Sequence, residues 1–106
     1  ELDDIAAVKG IYDRQQAIFV DARSQEDFRE GHIRGAVSLP VGEFDTHIDQ
    51  FKIDYPPSLY IVTYCSGREC DDSHELAQRL FEHGYDDVSV FIDGYPAWVA
   101  EGFPVE

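Results

Sequence analysis

The chain has 106 residues, 43% of them hydrophobic, which is enough for one packed domain and too few for two. Asp and Glu number 22 against 8 Lys and Arg, a formal net charge of −14. That balance excludes a nucleic-acid partner and contact with an anionic membrane surface, because both need clustered cations.

In chain order, Leu2, Ile5, Ala6 and Val8 have helical spacing, and Gly10 is expected to end that helix. Ala17 to Val20 is a short, β-branched apolar run that reads as a buried strand. Ser24 caps a helix carrying Glu26, Asp27 and Phe28, closed by Gly31. Ala36 to Leu39 reads as a second strand, ended by Pro40. Glu43 to Phe51 reads as a helix with Phe44, Ile48 and Phe51 on one face, and Pro56-Pro57 breaks the chain. Leu59 to Tyr64 is a third strand, and the polar stretch Ser66 to Asp72 a loop. Ser73 is expected to open a helix striped by Leu76, Ala77, Leu80 and Phe81, ended by His83-Gly84. Val88 to Ile92 is a fourth strand and Asp93-Gly94 a turn. Pro96 then sits in the first turn of a short helix holding Trp98 and Val99.

Uniformly apolar strands alternating with helices predict an α/β fold whose parallel sheet is covered on both faces. No run of about 18 apolar residues occurs, so nothing reads as a bilayer span. A signal peptide is not visible either, which favours the cytoplasm. Because the chain starts at Glu1 and has no methionine, residues 1–106 are expected to be one domain processed or excised from a longer polypeptide. Oligomeric state is not legible.

In such sheets, sites lie beyond the carboxyl ends of the strands. Cys65 falls there, between a strand and a helix, with Ser66, Gly67, Arg68, Glu69, Cys70 and Asp71 following it. Loop amides and a helix N-terminus at that place make a pocket of positive potential, in which a thiolate is stabilised and available as a nucleophile. The competing reading is a small buried hydrophobe. Two cysteines five residues apart do not make a secreted disulfide framework. They also make a poor zinc site, since His74 is the sole nearby supplement to a set that needs four ligands. Thiol or redox chemistry remains.

The wider pattern narrows this. Phe-Val-Asp-Ala-Arg at 19–23, Glu26, Gly-His-Ile-Arg-Gly-Ala at 31–36 and Leu39-Pro40 resemble the first signature segment of the rhodanese-like family. Tyr64-Cys65 before a loop and helix matches the place of that family's catalytic cysteine. Asp-Gly-Tyr-Pro-Ala-Trp at 93–98 with Glu-Gly-Phe-Pro-Val at 101–105 resembles its C-terminal signature. The resemblance implies a single rhodanese-like domain with a parallel sheet of about five strands. It implies a sulfurtransferase in which Cys65 takes sulfane sulfur from a donor, thiosulfate-like or a protein persulfide, and passes it to a thiol or cyanide. That chemistry calls for no metal or organic cofactor. The family also contains non-catalytic interaction or regulatory modules of larger proteins, which is the alternative reading for this chain.

The loop departs from the usual sulfurtransferase form: Gly67 comes early, Cys70 intrudes, and two acids precede Ser73. Longer loops in the superfamily suggest cell-cycle phosphatases and arsenate reductases, which place an arginine six positions after the cysteine. Here that position is Asp71, and Arg68 faces Glu69, Asp71 and Asp72, a formal charge of −2 that opposes a phosphate dianion. Cys70 has two readings: a resolving thiol that attacks the Cys65 persulfide, or a small loop side chain that never reacts. Asp21 and Arg23 follow a strand end and either line the site mouth or form a structural ion pair, the reading preferred for Asp21. His32 is expected to bond backbone rather than carry protons, Trp98 to be core, and His47, His74 and His83 to be solvated on helices.

Overall fold

A computed structural model describes all of residues 1–106. The first helix, α1 (Ile5–Asp13), is capped by Asp4, whose carboxylate accepts from the Ala6 N–H at 3.0 Å. It does not stop at Gly10. A glycine inside a helix costs roughly 1 kcal/mol relative to alanine, too little to end one with a buried face at Val8. The stop comes after Asp13, where Gln15 takes a left-handed backbone at φ 53°. Leu2 lies outside this helix: its N–H donates to Val90 O at 2.7 Å and its carbonyl accepts from Ile92 at 3.1 Å.

The chain continues as β1 (Ile18–Asp21), α2 (Gln25–Glu30), β2 (Val37–Ser38), a 3-10 turn (Val41–Glu43) and α3 (Phe44–Asp54). It then forms β3 (Ile61–Tyr64), α4 (Asp72–Glu82), β4 (Val88–Phe91) and α5 (Gly94–Ala100). Ser24 does cap α2, accepting from the Asp27 N–H at 3.1 Å. The next-to-last helix opens one residue before Ser73, with Asp71 at its cap position.

All strand pairs are parallel, in the order β2-β1-β3-β4. The sheet thus has four strands. The outer edge of β4 carries, in place of a fifth, the single parallel bridge of Leu2 with Phe91. Only two residues separate Leu2 from α1, and Asp4 is committed to capping it, so the pairing cannot propagate.

Successive strand residues point to opposite faces, and the core divides accordingly. Val20 and Ile61 pack against Phe44, Ile48 and Phe51 of α3 and Leu76 and Leu80 of α4. Phe19 and Val62 pack on the other face against Val8 of α1 and Trp98 of α5. The buried stripe of α4 is Ser73, Leu76 and Leu80. Phe81, expected in that stripe, is 57% exposed, because one residue beyond Leu80 is a turn of about 100° away from the core. No helix is long and apolar enough to cross a membrane.

Candidate active site

From β1 the chain moves outward to β2 and then returns to the other side of β1 as β3. The carboxyl ends of β1 and β3 are therefore neighbours, with Asp21 in register with Tyr64, at the point where the strand order reverses. In open α/β sheets that crevice is where ligands bind. The loops leaving it begin at Ala22 and Cys65.

The β1 side is a buried ion pair. Asp21 is fully buried and Arg23 is 8% exposed. The Asp21 carboxylate accepts from Arg23 N at 2.9 Å, Nε at 3.0 Å and Nη2 at 2.8 Å. Nη2 also donates to Gly31 O at 2.7 Å, tying α2's end to β1. Burial alone would lower the basicity of Arg23, but the hydrogen bonds and charge of Asp21 hold it above its ordinary value. The guanidinium lies 4.4 Å from the centroid of the Tyr95 ring, a cation–π contact. These side chains meet one another, which is the structural ion pair anticipated for Asp21. Arg23, left open between two roles, is spent on the same contacts.

Tyr64 supports this corner from the end of β3. Its hydroxyl accepts from the Ile33 N–H at 3.2 Å. Burial, reinforced by the negative charge of Asp21, pushes its phenol well above the ordinary value.

The β3 side is a short loop. Thr63 donates from its hydroxyl to Ser73 O at 2.9 Å, which fixes the start of α4 over the strand. Between them, Gly67 O accepts from the Cys70 N–H at 3.1 Å, a tight turn centred on Arg68 and Glu69. Gly67 has φ 145°, a conformation L-residues avoid, so a glycine is required at the entry to this turn. The turn reverses the chain and brings Cys70 back over Cys65. Their Cα atoms are 6.3 Å apart and the two sulfurs are joined in a disulfide. Cys65 is 2% exposed. Among the amides of residues 66–71, Cys70 alone donates to a protein acceptor. Those of Ser66, Gly67, Arg68, Glu69 and Asp71 have no protein acceptor.

Arg68 does not stand free in this loop: its Nε donates to Asp93 at 2.6 Å, a largely exposed pair that straps the loop to the start of α5. Glu69 has no ion-pair partner, and the Asp71 carbonyl accepts from the Glu75 N–H. The Asp72 carboxylate lies with both sulfurs inside a 4.8 Å cluster. Bridged sulfurs are not thiolate ligands, and three donors fall short of the four that zinc takes.

Two residues that the sequence did not mark belong to the site. The Tyr95 N–H donates to Cys65 O at 2.9 Å. Gly94, at φ 70°, packs so closely that a side chain there would run into Cys65 O and lie 2.9 Å from Gly67 N. The signal was the Asp93-Gly94 turn, but a turn does not say which loop it will touch. The histidines stand apart. His32 bonds Phe28 O through Nδ1 at 2.7 Å, His47 pairs with Glu43, and His74 meets Glu1 at 2.5 Å. His83 caps the end of α4 against Phe44, and Trp98 is wholly buried.

A family model for the rhodanese-like domain matches residues 4–101. The chain belongs to the rhodanese-like family. It is 31% identical over 103 residues to the uncharacterized protein YibN of Escherichia coli, covering 90% of this chain and 64% of that one. The chain thus spans less than two thirds of that relative's length. It is 37% identical over 79 residues to the thiosulfate sulfurtransferase GlpE of Shewanella oneidensis, covering 74% of this chain and 72% of that one. Among solved structures, the BH2092 protein of Bacillus halodurans superposes with a TM-score of 0.87 at 28% identity, over all of this chain and 75% of that chain.

Proposed function

We propose that this rhodanese-like domain is a sulfurtransferase and that Cys65, in its reduced form, carries the sulfur as a persulfide. The observation that carries the reading is the position of Cys65 at the topological switch point, beneath a loop with five uncommitted amides and ahead of α4. The Cys65 thiolate attacks the outer sulfur of a thiosulfate-like donor, and sulfite leaves with the electron pair of the broken S–S bond. The loop amides stabilise the anionic persulfide so formed. A thiol or cyanide then takes the outer sulfur, and neither step calls for a metal or organic cofactor. The donor is a small sulfur anion or a protein persulfide. Phosphatase chemistry fits poorly, because Asp71 stands where an oxyanion-gripping arginine would be needed.

The test is thiocyanate formation from thiosulfate and cyanide by the fully reduced chain. Turnover in the parent and none in Cys65→Ser supports the reading, and a rate equal to that of Cys65→Ser overturns it.

The second reading, an interaction module within a longer protein, is favoured by the bridged loop: a Cys65 held in disulfide has no sulfur free to load. A module should keep its partner when Cys65 becomes Ser, whereas a sulfurtransferase should lose all turnover.

A further inference from the structure

We propose that the domain is also a persulfide reductase, in which Cys70 discharges the Cys65 persulfide as sulfide and leaves the Cys65–Cys70 disulfide. The inference rests on the sulfur-carrier role proposed for Cys65.

Three observations carry it. The Gly67–Cys70 turn places the second thiol over the first, with Cα atoms 6.3 Å apart, inside the span a disulfide bridges. The bridge joins Cys70 Sγ to Cys65 Sγ. That is the inner sulfur of a persulfide, and attack there expels the outer one. Asp72 lies with both sulfurs inside a 4.8 Å cluster, and Arg68 is paired with Asp93 rather than with this group. An anionic persulfide is therefore held against a carboxylate. Release of a diffusible anion removes one of two repelling charges, whereas the disulfide carries none.

The steps balance. Cys65 thiolate takes the outer sulfur of the donor and, with thiosulfate, sulfite leaves. The Cys70 thiol passes its proton by way of solvent to the outer sulfur, and its own sulfur attacks Cys65 Sγ. The Sγ–S bond breaks, and the outer sulfur leaves with the electron pair as hydrosulfide. Two thiols are oxidised to a disulfide, and one sulfane sulfur is reduced by two electrons. A dithiol reductant resets the site by exchange, supplying two electrons and two protons. Without a dithiol the domain turns over once and closes. With one, it converts sulfane sulfur to sulfide.

The experiment is a single turnover without oxygen. The chain is reduced, freed of reductant and mixed with one equivalent of thiosulfate. Sulfite and sulfide are measured, and the protein is read by mass spectrometry. The parent is expected to release one sulfide for each sulfite and to end as the Cys65–Cys70 disulfide. Cys70→Ser is expected to stop at a Cys65 persulfide and release sulfide at least tenfold more slowly. If the parent ends as a stable persulfide, or if both proteins release sulfide at the same rate, Cys70 is not a resolving thiol and the sulfur-carrier reading stands. If neither protein takes up sulfur or releases sulfite while folded by circular dichroism, the carrier reading falls and this inference falls with it.

Discussion

The loops after β1 and β3 leave the sheet side by side, yet they are held by opposite means. Past β1, the Asp21–Arg23 pair is buried, triply hydrogen-bonded and sandwiched against Tyr95, with no group that changes with redox state. Past β3, the chain is held by the Gly67–Cys70 turn, the Tyr95 N–H bond to Cys65 O, one exposed ion pair and one disulfide. The first arrangement is set by folding. The second depends on a bond that a thiol can open.

The largest effect is expected on the fixed side. Asp21→Asn leaves the Arg23 charge buried without its partner, which should cost about 3–5 kcal/mol. Urea unfolding of the reduced proteins checks it. A loss below about 1 kcal/mol would mean that water reaches Arg23 and that the corner is not the rigid half.

Opening the disulfide should cost less. It closes a loop of only a few residues, so reduction is expected to lower the unfolding free energy by about 2 kcal/mol or less. Unfolding of the parent with and without dithiol reads this directly. Cys70→Ser should show no dependence on dithiol.

What the sequence showed of these two regions differs for the same reason. Asp21 and Arg23 lie two residues apart at a strand end, and so short a separation makes their pairing a local matter. The position of Cys65 follows from the apolar run before it. The bridge to Cys70 does not follow, because a spacing of five residues allows closure without compelling it; the Gly67–Cys70 turn decides. The contacts of Gly94 and Tyr95 with Cys65 join segments some thirty residues apart and leave no periodic trace. The same limit shows in the fold. The four strands are legible as short, largely apolar runs, whereas Leu2, apolar and near a helix, could not be told from a helical residue until the edge of β4 was there to receive it.

A pH titration sharpens the contrast next. Tyr64 is held protonated by burial and by Asp21. Its folded value lies above its unfolded one, so its contribution is complete below the ordinary tyrosine value of 10.0 and drains away above it. Above that pH, stability should fall by about 1.4 kcal/mol per pH unit from this residue, and less steeply in Tyr64→Phe. Equal slopes would show that the phenol ionises freely in the folded protein.

The smallest effect belongs to the surface strap. Arg68→Ala removes a pair whose arginine side chain is 59% exposed and should cost under about 1 kcal/mol. Its consequence should appear in the loop instead, as faster reduction of the disulfide by dithiol with little change in the urea midpoint. An unchanged reduction rate would show that the strap does not restrain the loop.

The most direct measurement of the central claim is the fate of the donor's outer sulfur. Thiosulfate labelled at that sulfur is given to reduced Cys70→Ser, and the Cys65 peptide is isolated and read by mass spectrometry. The account predicts one labelled sulfur on Cys65 and unlabelled sulfite in solution. Label that stays in thiosulfate, with Cys65 reduced and the protein folded, would contradict it.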